Sequence, residues 1–221
     1  VRVSTMRRID RWVGVPVSCL LTALRRCSDL WRRLRRTPPG PVRRILFIKL
    51  AEQGATVLAY PAIRKAVERV GRENVFFLVF EENRFILDLM EVLPEKNVIA
   101  IPTGGIGRLS VGGLRALSRV RRLRVDAAID LEFFARGSAI LAYLSGARVR
   151  VGLHGMGGDP APYRGDLMTH RLPYDPDLHT IDAYARMVDV LDLAAEEVPG
   201  SIDQDVQVDD GLPQFSPGPE E

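Results

Sequence analysis

The sequence contains few of the residues that hold metals or form disulfides. Its 221 residues include two cysteines and three histidines. Cys19 and Cys27 lie in one helical stretch, which places their α-carbons about 12 Å apart, beyond the roughly 7 Å that a disulfide spans. His154, His170 and His179 show no metal-ligand spacing among themselves or with the cysteines. These absences argue against a structural metal site and predict reduced cysteines in a cytosolic protein.

The chain also lacks a long apolar run. The uncharged stretch Trp12–Leu24 has thirteen residues, short of the ~20 apolar residues that cross a bilayer. A signal peptide would end in a small-x-small cleavage site, but Leu24 is followed at once by Arg25 and Arg26. The sequence therefore predicts neither a membrane-spanning helix nor export.

Phosphate loops of the common nucleotide-binding kinds are missing as well. After the first predicted strand, a dinucleotide-binding fold would have G-x-G-x-x-G and a P-loop would end in G-K-[ST]. Here the segment reads KLAEQGA, in which Gly54 is the single glycine. An NAD-dependent oxidoreductase and an ordinary nucleoside triphosphatase are both disfavoured. The later loop Gly104-Gly-Ile-Gly107 is flexible enough for a phosphate loop, but glycine content alone does not specify one.

What the sequence does have is the composition of a globular domain, with 46% hydrophobic and 27% charged residues. Short apolar runs alternate with helical segments, and this alternation predicts a parallel sheet covered on both faces. The predicted strands are Arg44–Leu50, Asn74–Phe80, Asn97–Ile101, Asp126–Leu131, Arg148–Leu153 and Thr169–Leu172. Helices are predicted from the first loop to Val70 and over Asn83–Val92, Leu109–Leu123, Ser138–Leu144 and Ile181–Leu193. The fold class is therefore α/β, a Rossmann-like doubly wound parallel sheet preceded by a basic amphipathic helix.

The pattern divides the chain into three parts. Residues 1–41 form a basic arm that ends in the stiff linker Thr37-Pro-Pro-Gly-Pro41. Residues 42–195 form the Rossmann-like domain. Residues 196–221 form an acidic tail rich in proline, which we expect to be disordered or to be an interdomain linker.

The arm carries an excess of positive charge. Residues 1–44 hold twelve arginines and two aspartates, whereas the whole chain has a net charge of +3. After Pro16, apolar residues recur at helical spacing and form one stripe: Val17, Leu20, Leu24, Cys27, Trp31 and Leu34. Arginines surround the C-terminal half of this stripe, a profile typical of a helix lying on an anionic membrane surface. The residues expected to face the membrane are Trp12, Leu20, Leu24 and Trp31.

Two alternatives for the arm remain open at this point. The stripe could pack on the domain or on another subunit. The arginines could also bind nucleic acid, but no recognised nucleic-acid module accompanies them, so we expect no nucleic-acid partner.

Candidate functional residues follow the first and fourth predicted strands, because ligands of open parallel sheets bind beyond the strand carboxyl ends. Glu52 lies in the first loop, near a helix N-terminus behind Gly54, where a carboxylate could act as general base on a hydroxyl. The alternative is that Glu52 only stabilises the helix start. Asp130, Glu132 and Arg136 should converge on the same edge. Arg136 could bind a phosphate or carboxylate of a substrate, or it could pair with Asp130.

Three stretches resemble the N-terminal signatures of family 9 glycosyltransferases, the ADP-heptose:lipopolysaccharide heptosyltransferase family. They are RILFIKLAEQGATVLAYPAIR, VDAAIDLEFFARGSAILAYLSGARVRVG and THRLPYDPDLHTIDAYARMVDVL. The resemblance implies a two-domain GT-B fold, of which this chain is the N-terminal, acceptor-side half. It implies transfer of a sugar, with inversion, from a nucleotide-sugar donor to a lipid-linked glycan acceptor. The donor site would lie in a second domain that this chain lacks, so the isolated chain is expected to be inactive.

The resemblance also assigns residues. Lys49, Gly54, Asp130 and Ser138 match the family pattern, and His170 and Arg171 match its later stretch. Together with Arg136, these six residues are expected to bind the acceptor. No cofactor or metal is implied beyond the nucleotide-sugar donor of a complete enzyme.

One departure bears directly on activity. In the family, an aspartate that serves as catalytic base usually follows the glycine of the first loop, and here Ala55 follows Gly54. Either Glu52 is the base instead, or the protein is a catalytically inactive acceptor-binding or scaffold module. In both cases we expect a cytoplasmic protein, peripheral at the inner membrane, that works with a separate donor-binding domain or with none.

Overall fold

The structure, a computed structural model, describes residues 14–35, 40–133, 135–156, 165–198 and Leu212; for residues 28–35 and Met156 it describes the backbone alone. The strands are β1 Ile45–Ile48, β2 Val75–Phe80, β3 Val98–Ile101, β4 Ala127–Asp130, β5 Val149–Met156 and β6 His170–Tyr174. The helices are α1 Val15–Arg35, α2 Gln53–Leu58, α3 Tyr60–Val70, α4 Arg84–Met90, α5 Ile106–Leu123, α6 Arg136–Leu144 and α7 Thr180–Asp189.

Within the described residues, the six strands form one parallel sheet in the order β3-β2-β1-β4-β5-β6. This is the strand order of a doubly wound Rossmann sheet, so the predicted fold class is confirmed. The order reverses between β1 and β4, where Ile48 is in register with Asp130. The carboxyl ends of these two strands flank the crevice in which such sheets bind ligands.

The helix predicted after β1 differs from its prediction, because it is divided into α2 and α3 at Ala59. Pro61 lies in the first turn of α3 and has no N–H to donate to the preceding turn. The N–H of Ala59 bonds to the carbonyl of Thr56 at 3.2 Å, in a tighter turn than an α-helix makes. The first loop therefore leads into a separate helix of six residues.

The core consists of two apolar layers, one on each face of the sheet. Ile45 and Phe47 of β1 pack toward α3, α4 and α7, whereas Leu46 and Ile48 pack toward α1, α5 and α6. All four side chains are fully buried. A strand buried on both faces reads as a continuous apolar run, which explains why β1 is conspicuous in the sequence.

Helix α1 docks on the second of these layers through both apolar and polar residues, and Val17 and Leu21 pack against the layer. Ser18, Leu21 and Thr22 are buried. The Arg25 guanidinium donates to the Asp166 carboxylate at 2.5 Å, and the N–H of Asp166 donates to Thr22 Oγ at 2.9 Å. These contacts join the arm to the segment that precedes β6.

Leu20, Leu24 and Cys27 of the predicted apolar stripe lie on the other side of the helix, whereas Val17, its first residue, packs against the core. Leu20 and Leu24 are 62% and 52% exposed, and Cys27 is also exposed. Of the two predicted tryptophans, Trp12 lies outside the described residues, and of Trp31 only the helical backbone is described. No helix in the described part of the chain is long and apolar enough to cross a bilayer.

Gly112 allows α5 to contact the loop after β3, and this contact can be tested. A Cβ on Gly112 would lie 2.3 Å from Cδ of Pro102, and a proline ring cannot rotate away. Gly112→Ala is therefore expected to lower the free energy of unfolding by about 1–3 kcal/mol in urea denaturation. Gly113 is the matched control, because nothing lies within 4 Å of its Cβ position. Gly113→Ala should raise stability by up to about 1 kcal/mol, and equal effects at the two positions would contradict this packing.

Candidate active site at the ends of β1 and β4

Lys49, the first residue after β1, is fully buried. Its Nζ lies 2.8 Å from Oε2 of Glu52 and 3.2 Å from Oε2 of Glu132. The same ammonium lies 5.9 Å from the centre of the Phe133 ring. A buried charge is costly unless it is paired, and here two carboxylates and an aromatic face surround it. The two loops that the sequence analysis placed on one edge of the sheet thus meet at this lysine.

Glu132 connects the loops after β4 and β1. Its Oε1 accepts hydrogen bonds from the backbone N–H groups of Leu50, at 2.7 Å, and Ala51, at 3.0 Å. Its other oxygen pairs with Lys49. The sequence analysis placed Glu132 at this edge but assigned it no role, because a carboxylate near a strand end is ambiguous until its partners are known. The structure identifies it as the residue that holds the first loop in place.

Glu52 has an unusual backbone conformation, with φ at 69° and ψ at 88°. Left-handed conformations are uncommon for residues other than glycine and cost of order 1–3 kcal/mol. Glu52 precedes α2, yet its side chain makes no capping hydrogen bond. Its carboxylate contacts Lys49 instead and remains 66% exposed. The side chain therefore does not cap α2 by a hydrogen bond, and it presents a carboxylate to solvent at the strand-order reversal.

Asp130 and Ser138 form a buried pair beneath this carboxylate cluster. Asp130 Oδ2 accepts from the Ser138 hydroxyl at 2.9 Å, and Oδ1 accepts from the N–H of Glu132 at 3.1 Å. Both residues are fully buried, so they shape the turn between β4 and α6. Arg136 is the first residue of α6 and is half-buried.

Gly54 and Ala55 lie in the first turn of α2. Gly54 is exposed, with open space around its Cα. Ala55 is half-buried at the position where the resembling family has its aspartate. Glu52 is therefore the nearby carboxylate that this loop offers to the crevice.

An aromatic group closes the other side of the cluster. The Tyr184 hydroxyl donates to the carbonyl of Leu131 at 3.1 Å. Burial, followed by the charges of Glu132, Glu52 and Asp130, raises the pKa of Tyr184 far above its ordinary value, so the hydroxyl stays protonated at neutral pH. Phe133 packs against this ring with centroids 6.1 Å apart. The sequence analysis did not identify Tyr184, because an apolar-looking helix position gives no sign of a distant hydrogen-bond partner.

His170 and Arg171 have contacts elsewhere. His170 is buried on β6, with Nδ1 2.8 Å from Thr169 Oγ and Nε2 3.0 Å from the carbonyl of Leu193. Arg171 pairs with Asp166 beside α1. Burial, and then the positive charges of Arg25 and Arg26, lower the pKa of Arg171. The described contacts of these two residues do not include the Lys49 cluster, and their role in acceptor binding stays a prediction.

The sequence matches no protein-family model and no curated protein sequence. Solved structures with a similar fold include a family 9 glycosyl transferase from Veillonella parvula, with a TM-score of 0.51 at 18% identity over 71% of this chain and 43% of that one. The heptosyltransferase WaaC of E. coli, with ADP-2-deoxy-2-fluoro heptose, gives a TM-score of 0.55 at 14% identity over 76% of this chain and 52% of that one. The structure of WaaC with ADP gives a TM-score of 0.55 at 14% identity over 72% of this chain and 49% of that one.

These similarities concern the fold. The chain spans about half the length of the structures that it matches. At such low sequence identity they carry the architecture and no residue-level assignment. The resemblance to family 9 glycosyltransferases, inferred from three sequence stretches, is thus confirmed at the level of the fold.

Proposed function

We propose that this chain is the acceptor-side part of a glycosyltransferase of the heptosyltransferase type, which transfers a sugar from a nucleotide-sugar donor to a lipopolysaccharide or another envelope glycan. The observation that carries the proposal is the exposed carboxylate of Glu52, paired with the buried Lys49 beside the strand-order reversal. The fold shared with a family 9 glycosyl transferase and a heptosyltransferase supports the same function.

In the proposed reaction, Glu52 is the general base. Its carboxylate accepts the proton of an acceptor hydroxyl while that oxygen bonds to the anomeric carbon of the donor sugar. The bond from the anomeric carbon to the nucleoside diphosphate breaks at the same time, which inverts the configuration. Lys49 positions the base through Oε2, and Oε1 makes no hydrogen bond within the described part of the chain. Gly54, Asp130, Arg136 and Ser138 lie on the elements that flank the proposed acceptor crevice, in α2, at the end of β4 and in the first turn of α6.

A second candidate function is an inactive module that binds the acceptor or acts as a scaffold at the membrane. Ala55 favours this alternative, because its methyl group cannot accept a proton at the position of the family aspartate. The two functions share the acceptor and the membrane location, and they differ in whether Glu52 supports transfer.

The complete transferase would also need a donor-binding domain, either in the same polypeptide or as a separate partner. We place the protein on the cytoplasmic side of the inner membrane, where both the nucleotide sugar and the lipid-linked acceptor are accessible. The exposed stripe of α1, with Leu20 and Leu24, would contact the anionic lipid there.

The chain on its own is expected to bind a lipid-linked glycan and not a nucleotide sugar. Isothermal titration calorimetry with detergent-solubilised lipopolysaccharide core glycolipid should give a saturable isotherm, and ADP-linked and UDP-linked sugars should give none at micromolar concentrations. Glu52→Gln should leave glycan binding in place, because the amide keeps the shape of the carboxylate. A tight, stoichiometric isotherm with a nucleotide sugar would mean that the donor site lies in this chain. An absence of glycan binding would remove the acceptor role.

A further inference from the structure

Helix α1 turns Leu21 and the polar residues Ser18, Thr22 and Arg25 inward, and it leaves Leu20 and Leu24 exposed. On the inward side, the Thr22 hydroxyl donates to the Ser18 carbonyl. Thr22 and Arg25 also bond to Asp166 in the segment before β6. Among the described side chains of α1, the exposed ones are Pro16, Cys19, Leu20, Ala23, Leu24, Arg26 and Cys27, of which Arg26 alone is charged. An amphipathic helix of a water-soluble domain normally buries its apolar stripe. In α1 the part of the stripe formed by Leu20 and Leu24 is instead available to a partner outside the described residues.

Helix α5 has the same kind of exposed apolar residues. Leu114 is 69% exposed, and Val111 and Ile106 are exposed as well. Leu114 and Val111 lie on the side of the helix opposite the buried Ala116 and Val120, and so point away from the sheet. Of the eight large apolar side chains exposed in the described part of the chain, five are on α1 and α5.

The two helices belong to one layer. Leu21 of α1, Ala116 of α5 and Ala139 of α6 contribute to the same apolar cluster. The Arg121 side chain of α5 donates to the carbonyl of Leu144 at the end of α6, at 2.7 Å. Helix α1 contacts α6 directly. The exposed apolar residues of α1 and α5 therefore lie on one side of the molecule.

The charge of this layer has one sign. Over residues 15–27 of α1, in α5 and in α6 there is no aspartate or glutamate, and the arginines are Arg25, Arg26, Arg108, Arg115, Arg119, Arg121, Arg122 and Arg136. The helices on the opposite face mix charges, with ion pairs such as Arg64–Glu68 and Lys65–Asp189. Arg115 and Arg122 make no ion pair or hydrogen bond within the described residues. The α1–α6–α5 layer is thus complementary to an anionic partner.

An open groove runs along the C-terminal half of α5. Its volume is about 620 Å³, and it is lined by Leu114, Leu117, Ser118, Arg121, Arg122 and Arg124. Leucines beside arginines suit a phosphate group attached to an acyl chain.

We propose that α5 is a second membrane-contact helix and that the α1–α6–α5 layer lies flat on an anionic phospholipid bilayer. The inference rests on the membrane location in the proposed function and extends it to a helix that the sequence analysis did not assign to the membrane. Leu114 and Val111 enter the headgroup region, and the arginines contact lipid phosphates. A bilayer is the better occupant than an acidic protein, because the exposed apolar residues are spread over two helices and lie beside arginines, as in helices that lie on anionic membranes.

The test is vesicle co-sedimentation of the full chain with vesicles of phosphatidylglycerol and phosphatidylcholine. The double variant Leu114→Gln, Arg122→Gln is expected to lower the partition coefficient about tenfold, since one surface arginine alone contributes about fivefold. The matched control is Leu89→Gln, Arg64→Gln, which removes a leucine that is 55% exposed and one arginine from the opposite face. The control should bind as the parent chain does. Circular dichroism of all variants verifies that the surface changes leave the fold intact.

A second measurement reports insertion directly. An environment-sensitive fluorophore is attached through Leu114→Cys or Leu89→Cys in a Cys19→Ser, Cys27→Ser background. Emission from position 114 should shift to shorter wavelength when anionic vesicles are added, and emission from position 89 should not.

The outcomes distinguish the membrane role of α5 from the membrane location in the proposed function. Loss of binding in a Leu20→Gln, Leu24→Gln variant, with parent-like binding of the α5 variant, would leave α1 at the membrane and overturn the role of α5. Parent-like binding to vesicles of phosphatidylcholine alone would overturn the role of charge. If the parent chain does not bind anionic vesicles, the membrane location fails as well, and an acidic protein becomes the occupant to test.

Discussion

Glu52→Gln is expected to lower sugar transfer by about 10²–10⁴-fold in the complete transferase. Glutamine keeps the size of the side chain, and its carbonyl oxygen can still accept a hydrogen bond from Lys49, but it cannot take up the hydroxyl proton. The loss should therefore appear in kcat, with little change in the KM for the acceptor. The measurement is steady-state transfer from a labelled nucleotide sugar, made with a form that includes the donor-binding domain.

Glu91 provides the matched control. It is an exposed glutamate that also has a positive φ, of 51°, and it lies at the end of α4. Glu91→Gln should leave transfer unchanged. If Glu52→Gln behaves like Glu91→Gln, the base lies elsewhere.

Ala55→Asp tests whether a carboxylate at the position of the family aspartate can serve as the general base. Introduced into the Glu52→Gln background, it is expected to restore part of the lost kcat, because the new carboxylate would occupy the place of the family aspartate. If no assembled form of the protein transfers sugar, with or without Ala55→Asp, the inactive acceptor-binding module is the correct function.

Lys49→Met is expected to lower the free energy of unfolding by about 3–5 kcal/mol, because it leaves the Glu132 carboxylate buried without its ion-pair partner. The measurement is equilibrium unfolding in guanidinium chloride. A second change, Glu132→Gln, should recover much of this loss. The amide oxygen still accepts the N–H groups of Leu50 and Ala51, and no unpaired charge remains.

The control for this experiment is Lys65→Met. Lys65 pairs with Asp189 at 2.5 Å, but the two side chains are 43% and 50% exposed, and exposed pairs contribute about 0–1 kcal/mol. A Lys49→Met cost as small as that of Lys65→Met would mean that the buried pair does not hold the two loops together. The same conclusion would follow if the double variant Lys49→Met, Glu132→Gln were no more stable than Lys49→Met alone.

The architecture was largely predictable, because strands buried on both faces and amphipathic helices have distinct periodicities. β1 and β2 are apolar without interruption, and α5 and α7 have the expected spacing. The break at Ala59 was missed, because apolar spacing continues through Pro61 although the hydrogen-bond ladder does not. The order of the strands was also beyond the sequence pattern, since burial of a strand does not specify its neighbours.

The site was predictable only as a set of loops. Lys49, Glu52 and Glu132 were expected at one edge of the sheet, and they lie there. Their pairing depends on the register of Ile48 with Asp130, which brings Glu132 beneath the first loop. The local sequence pattern of either strand does not predict its register with the other. The same limit applies to α1, whose inward side is selected by Asp166, 141 residues from Arg25.

The distance of 141 residues between Arg25 and Asp166 delays their pairing during synthesis of the chain. Helix α1 leaves the ribosome long before Asp166 exists to receive Arg25, and at about 5–20 residues per second the delay is about 7–28 s. During this interval the bonds of Thr22 and Arg25 to Asp166 cannot yet form. If the stripe of Leu20 and Leu24 binds lipid, the nascent chain can reach the membrane before its sheet is complete, and the remaining strands would then fold at the bilayer surface.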